Sequence, residues 1–401
     1  MNKHVLIVPV ACTLAATVNF ACAKEVNLDI QLKNLYVERD FNDRAKPSIG
    51  NWSQGVIARA KGEHALTENT VLTFTGSLQY AKRLSEDKHL NDMILPFNPV
   101  TREQASSYHK VAGSIGLKYQ QHKISWGEQW VDTPLATTDY TRQLVTTYQG
   151  LVYSGQLTEQ LKLDVGYLDK YSPRNEEDFR KISVSKKESD GLGYIDLKFS
   201  ALQNKLQTQL FLSELEDLYN QYSLGVQYKT QADQLRLNTK FRYYYTEESG
   251  AKYLGNVDNQ YYGLLQEVGY GANTFGVGIQ KIHGESDFPM LDGGVPVLSY
   301  IHWTGIFNKA NELAYHFTFN HDASWLVPGL NVLVRYVDGQ DYSIKGQKGY
   351  DESGLDLIID YRVKEGKLKG LGFKWLNINY KNNTNGDYTE NRFFTTYSKK
   401  F

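Results

Sequence analysis

Apolar residues recur at every second position along most of this chain. Val71–Lys82 places Leu72, Phe74, Leu78 and Tyr80 on one face and Thr73, Thr75, Ser77 and Gln79 on the other. Leu161–Lys170 alternates Leu161, Leu163, Val165 and Tyr167 with Lys162, Asp164 and Gly166. The same period runs through Leu235–Tyr243, Leu330–Val337 and Gly354–Arg362, with Leu333 as an exception on a polar face. A period of two marks an extended strand with unlike faces. Strands of about ten residues, apolar outward and polar inward, are what a β-barrel uses to cross a bilayer. No helical segment or domain boundary interrupts the series. The expected fold is all-β: one antiparallel transmembrane β-barrel.

The connections alternate in length. Gln120-Gln121-His122, Gln203-Asn204 and Gln231-Ala232-Asp233 are tight turns, whereas Arg83–Ser107, Lys170–Asp190 and Gly339–Glu352 read as long polar loops. Short turns at one end and long loops at the other fit a barrel inserted from the periplasm. A direct count gives nineteen strands, but termini on one side require an even number. Counting Ser299–Asn308 as a strand would put the Gly339–Glu352 loop on the periplasmic side. Gly284–Asn311 is therefore assigned to one external loop, leaving about eighteen strands. Phe288, Tyr300, Trp303 and Phe307 make that loop too apolar to stand wholly in water, so it is expected to pack into the barrel mouth.

One connection differs from the rest. Trp130–Tyr148 is polar and irregular, yet strand-like segments flank it closely at Lys123–Trp130 and Tyr148–Leu157. It is read as a loop that folds into the lumen and narrows it, with Asp132, Asp139 and Tyr140 in the constriction.

Composition refines this picture. Lys3 and His4, the apolar run Val5–Val18 and Ala21-Cys22-Ala23 form a signal peptide, residues 1–23, with the barrel domain over 24–401. Asn19 and Phe20 fit poorly with a lipoprotein signal through Cys22. Both cysteines, Cys12 and Cys22, lie in that segment, so the mature chain has no thiol chemistry. Without Lys3 it carries 43 basic and 45 acidic residues, a balance that gives nucleic acid no purchase. The 29 tyrosines suit the aromatic girdles of a membrane barrel better than a soluble β-protein.

Basic residues fall on the inward parity. They include Lys33, Arg39, Arg59, Lys61, Lys110, Lys118, Arg236, Lys240, Arg242, Arg335, Arg362, Lys374 and Arg392. Lipid excludes charge at about 2–4 kcal/mol near the midplane, which alone explains their face. It does not explain why Arg335, Arg362, Lys374, Arg392, Lys33, Arg39 and Arg59 share one wall once the barrel closes. Inward acids such as Asp29, Glu63, Asp164, Asp196, Glu267, Asp356 and Asp360 neutralise some of them. A guanidinium track can pass a carboxylate between bidentate contacts. His316 and His321 fall on opposite faces, and neither metal spacing nor a nucleophile motif is present, so no catalytic residue, metal or cofactor is expected.

Several stretches resemble the OprD family of substrate-specific outer-membrane porins. They are Leu28–Phe41, Gly127–Gly150 with Pro134, Asp139, Arg142, Leu144 and Tyr148, Val327–Leu330 through Arg335–Gly339, Glu352, Lys367–Leu371 and Glu390-Asn391-Arg392. The resemblance covers nearly the whole mature chain. It implies eighteen strands, an inward loop, and passive uptake of small carboxylates such as amino acids or aromatic acids. It also implies a basic ladder at Lys33, Arg39, Arg59, Arg142, Lys374 and Lys381, although Lys381 departs in parity. Leu376 stands where another ladder arginine is usual, and Val145 replaces a usual proline. The expected substrate-binding set is Lys33, Arg39, Arg59, Arg142, Arg335, Arg362, Lys374 and Arg392. The alternatives are a general diffusion porin and, from another class, an outer-membrane lipid or ester hydrolase. Expected partners are small solutes, outer-membrane lipid and the barrel-assembly machinery during insertion, with monomer and homotrimer both open.

Overall fold

The structure is a computed structural model that describes residues 25–43, 45–86, 94–295, 305–384 and 386–401. The expected signal peptide lies outside them. Among the described residues, eighteen antiparallel strands close into a barrel. The first six are β1 (Glu25–Phe41), β2 (Ile49–Ala65), β3 (Thr70–Arg83), β4 (Ser107–Tyr119), β5 (His122–Gln129) and β6 (Thr147–Gln156). Next come β7 (Leu161–Ser172), β8 (Leu192–Ala201), β9 (Leu206–Leu215), β10 (Tyr219–Ala232), β11 (Leu235–Glu248) and β12 (Asp258–Tyr270). The last are β13 (Asn273–His283), β14 (Leu313–Asp322), β15 (Leu330–Ile344), β16 (Gln347–Arg362), β17 (Gly372–Asn382) and β18 (Tyr388–Lys400).

Closure comes from β1 against β18, from Asp29↔Lys400 to Phe41↔Tyr388. The Leu28 and Phe401 backbones exchange hydrogen bonds of 3.1 and 2.9 Å at the seam's lower end. The start of β1, the C-terminus and the tight turns lie at this rim, which is periplasmic in outer-membrane barrels. Outward aromatic residues form two belts. Tyr36, Trp52, Tyr80, Tyr222, Tyr262 and Tyr315 mark the outer one, and Tyr119, Phe199, Tyr228 and Tyr270 the inner one.

Two expectations about connections need correction. Gly339–Glu352 is not a loop. β15 and β16 continue above the membrane through Tyr342↔Tyr350 and Ile344↔Gln347, and turn over Lys345 and Gly346, both with positive φ. Above the lipid both faces of a hairpin meet water, so polarity there does not separate strand from loop. Nor are all external connections long, since Glu216–Leu218 alone joins β9 to β10. The external segment after β13 has no strand among its described residues. Phe288 and Phe307 are buried in it, while Tyr300 and Trp303 lie outside the described residues.

The loop between β5 and β6 crosses the lumen. β5 stops after eight residues. Gly127 near its end has φ 110°, and a Cβ there would meet the Gly113 carbonyl oxygen at 2.4 Å, so a glycine is needed where the chain turns inward. Leu144 and Val145 pack against Leu35, Val37, Ile57, Leu376, Ile378 and Phe394 on one wall. Val131, Leu135 and Ala136 pack against Tyr194, Phe211, Leu215 and Tyr219 on the other. Each fully buried aliphatic side chain is worth about 1.5–3 kcal/mol. The lumen is therefore not uniformly polar. Leu376, and Leu333 beside it, face inward to receive the loop.

Candidate functional site: the constriction and its two vestibules

Polar anchors fix the loop where packing brings it. Lys33 on β1 is buried, and its ammonium donates to the carbonyls of Arg142 (2.7 Å) and Tyr140 (3.2 Å). Gln143 lies fully buried over Gly55 of β2, where a Cβ would come within 2.2 Å of its amide nitrogen. It donates to Lys33 O at 2.7 Å and accepts from Ser53 Oγ at 3.2 Å. From β4, buried Lys110 donates to Val145 O (2.9 Å), Ser172 O (3.0 Å) and Pro173 O (2.5 Å), tying the constriction to the next external loop.

The same two loops share a buried ion pair, Arg174 with Asp139. Burial alone would raise the Asp139 carboxyl, but Arg174, with Thr141, holds it below the usual carboxylate range. Asp139 is thus a structural anchor. Tyr140 and Asp132 are exposed to the lumen. Arg142 is pushed well below its ordinary pKa, first by burial and then by Arg392 and Arg174. Its guanidinium stays charged and donates only to its neighbour Thr141, at 3.2 and 3.4 Å, among the described residues.

A space of about 820 Å³ opens on the outer side of the loop. Arg142, Arg174 and Arg335 line it opposite an apolar wall of Leu254, Val257, Phe288, Met290 and Leu291. On the inner side, a cleft of about 160 Å³ brings Lys33, Tyr140, Arg362 and Lys374 together with Asp360. Across the lumen a larger inner space of about 760 Å³ is lined by Asp132, Gln209, Gln227, Lys240 and Arg242.

Half of the expected substrate-binding set is paired with acids in place. Arg39 reaches Glu390 at 2.6 Å, and Arg392 pairs with the same carboxylate. Arg335 pairs with Asp356 at 3.1 Å and Lys374 with Asp360 at 2.8 Å. Arg59 stacks on the Trp130 ring at 4.5 Å. Lys33 is occupied by loop carbonyls and buried, so it holds the loop and is not an open rung. Arg362 and Arg142 are the arginines of that set in neither an ion pair nor a ring contact among the described residues. Glu390 and Arg174 escaped sequence reasoning. Arg174 sits in an irregular loop where parity says nothing. Glu390 does lie on the inward parity of the last strand, and that signal could have found it.

The loop-narrowed, eighteen-stranded barrel matches known proteins closely. The sequence fits the family described as "outer membrane porin, OprD family" over residues 23–401. The chain belongs to the OprD family. Porin D of Pseudomonas aeruginosa is 25% identical over 415 residues, covering 93% of this chain and 90% of its own. The crystal structure of OccAB4 from Acinetobacter baumannii is 36% identical with a TM-score of 0.89, covering 94% of this chain and 99% of that one. OpdK of Pseudomonas aeruginosa, solved with vanillate, shares the fold at 24% identity and a TM-score of 0.90, covering 94% and 100%. This OprD-family chain is an outer-membrane channel through which small solutes pass, and not an enzyme.

Proposed function

We propose that this porin takes up small carboxylate-bearing solutes passively, moving them between unpaired cations on either side of the constriction. The observation that carries this reading is the placement of Arg142 on the outer face of the loop and Arg362 on the inner face, each without an ion-pair partner among the described residues. A carboxylate losing water at the loop meets Arg142, then Arg362 beside Lys374. Adjacent weak sites let an anion enter and leave. The apolar wall of Leu254, Val257, Phe288, Met290 and Leu291 faces Arg142 across the outer space, which suits an acid with an apolar body. The initial 23 residues direct export, and the barrel inserts as expected for an outer-membrane protein.

One observation favours a general porin instead. Arg39, Arg335, Lys374 and Arg392 are all paired with acids, which weakens a continuous ladder. Liposome swelling with sodium benzoate and with benzamide separates the readings. Faster benzoate entry supports carboxylate recognition, and equal rates favour the general porin.

A further inference from the structure

We infer that the wall of β2, β4 and β5 below the constriction holds a second oxyanion, so that the channel favours small solutes with two anionic groups, such as dicarboxylates. The inference rests on the carboxylate reading above and adds a site outside the ladder. Lys61, Lys118 and Lys123 are the core of the site.

All three point into the lumen. Leu117 and Tyr119 beside Lys118, and Ile124 beside Lys123, are exposed on the lipid side, and Lys61 shares the parity of buried Ser53 and Ile57 on β2. Lys118 and Lys123 stand directly opposite each other in the β4–β5 ladder. Lys123 lies close enough to Arg59, Glu63, Lys61 and Lys118 to sense their charge, three cations against one carboxylate. Like charges directly across a ladder repel and destabilise the sheet, so the grouping works against the fold unless an anion relieves it. Elsewhere in the lumen Lys198, Lys240, Arg335 and Lys374 each reach a carboxylate. Lys61, Lys118 and Lys123 make no ion pair or hydrogen bond among the described residues. Asp29, Glu63 and Glu128 share the region, but none of them forms an ion pair with these cations. Glu128 is buried and accepts from Ser77 Oγ at 2.6 Å.

The floor between these lysines is shaped for a ligand. β3 and β4 present Thr73, Thr75, Ser114 and Gly116 inward between Lys61 and Lys123. The Lys123 chain lies over Gly116, where a Cβ would meet its Cε at 3.1 Å and Thr73 Oγ1 at 2.8 Å. Small side chains with hydroxyls keep the floor between the ammonium groups free of bulky side chains. Arg59 stands at its upper edge beneath the loop, and its Nε is buried without a hydrogen-bond partner. An oxyanion among these side chains would meet three ammonium donors, hydroxyl donors and the edge of a guanidinium. A carboxylate released from the constriction has this second set of cations ahead of it on the way to the periplasm.

The test compares wild type with Lys61→Gln/Lys118→Gln/Lys123→Gln in planar bilayers, with folding checked by heat-modifiable gel migration. Reversal potentials give the permeability of succinate, inorganic phosphate and propionate. The expected result is that the succinate-to-propionate ratio falls at least about threefold, the effect of several weak exposed charges acting together, with a smaller fall in Lys123→Gln alone. Loss of succinate permeation alone assigns the lysine cluster to dicarboxylates, and loss of succinate and phosphate together assigns it to dianionic oxyanions in general. An unchanged succinate-to-propionate ratio in the folded triple variant overturns the inference. If wild type in liposome swelling instead passes propionate no faster than propionamide, the carboxylate reading fails, while the ratio between anions still reports on this site.

Discussion

Replacing Arg174 with Ala would test how the constriction is held. Asp139 is 3% exposed and Arg174 7%. Removing one partner of a buried ion pair costs about 3–5 kcal/mol, because the other charge is left stranded. Protonation offers Asp139 an escape. Neutralising an ordinary carboxyl, with a pKa of 3.8, at pH 7 costs about 4 kcal/mol, so the penalty cannot much exceed that. With tenfold per 1.4 kcal/mol, the fraction of channels with a detached loop should rise about a hundred- to a thousandfold. The barrel ladder is untouched, so folding should survive. Single-channel recording should show frequent steps to a higher conductance at pH 7. The pH trends should run in opposite senses. In wild type the Asp139 carboxyl is held low, so its contribution is complete above pH 3.8 and is lost as the pH falls through its lower folded value. In Arg174→Ala burial raises the carboxyl, so acidification neutralises it and the steps should become rarer towards pH 5. Adding Asp139→Asn should remove both the excess steps and this pH dependence. A folded Arg174→Ala channel with unchanged current at pH 7 would refute the latch.

Gly55→Leu should displace Gln143 and loosen the loop, raising mean conductance while the thermal unfolding of the barrel stays within a few degrees of wild type. Deleting Thr137–Arg142 should raise single-channel conductance several-fold, and an unchanged value in a folded deletion would contradict the loop's place in the lumen. Lys345→Cys should be labelled by an impermeant maleimide on intact cells, because the β15–β16 hairpin turns over outside; protection there would reverse the orientation. The labelling requires no background correction, since both native cysteines lie in the expected signal peptide.

The barrel was legible because lipid imposes a strict rule on one face of every strand. Alternation at Leu72–Tyr80 or Leu161–Tyr167 follows from that rule, and parity of the strand count places the external loop. The rule ends at the lipid. Above it, Asp341, Tyr342 and Ser343 look like loop yet form part of a hairpin, because nothing there penalises a polar outward residue. Inside it, parity shows that Lys33, Arg39 and Arg335 face the lumen, but not whether they meet solute or protein. Lys33 and Lys110 turn out to hold backbone carbonyls, and Glu390 serves two arginines at once. Such assignments depend on which strands become neighbours and on where a loop crosses, and both are fixed only by closure. Leu333 and Leu376 carried a readable signal, since an apolar residue on the inward face marks a place where the lumen is filled by protein.

The most direct test of cation-guided passage is the reversal potential of Arg362→Gln/Lys374→Gln against wild type in a sodium benzoate gradient. These residues sit together on the inner side of the loop and make no contact that holds it. Each exposed charge contributes about 0–1 kcal/mol, so with two removed the benzoate-to-sodium permeability ratio should fall by up to about thirtyfold. Single-channel conductance in potassium chloride should change little, and the loss should be largest at low salt, where screening is least. An unchanged permeability ratio, or an equal fall in benzoate and benzamide flux, would contradict recognition of the carboxylate and leave a pore that discriminates by size alone.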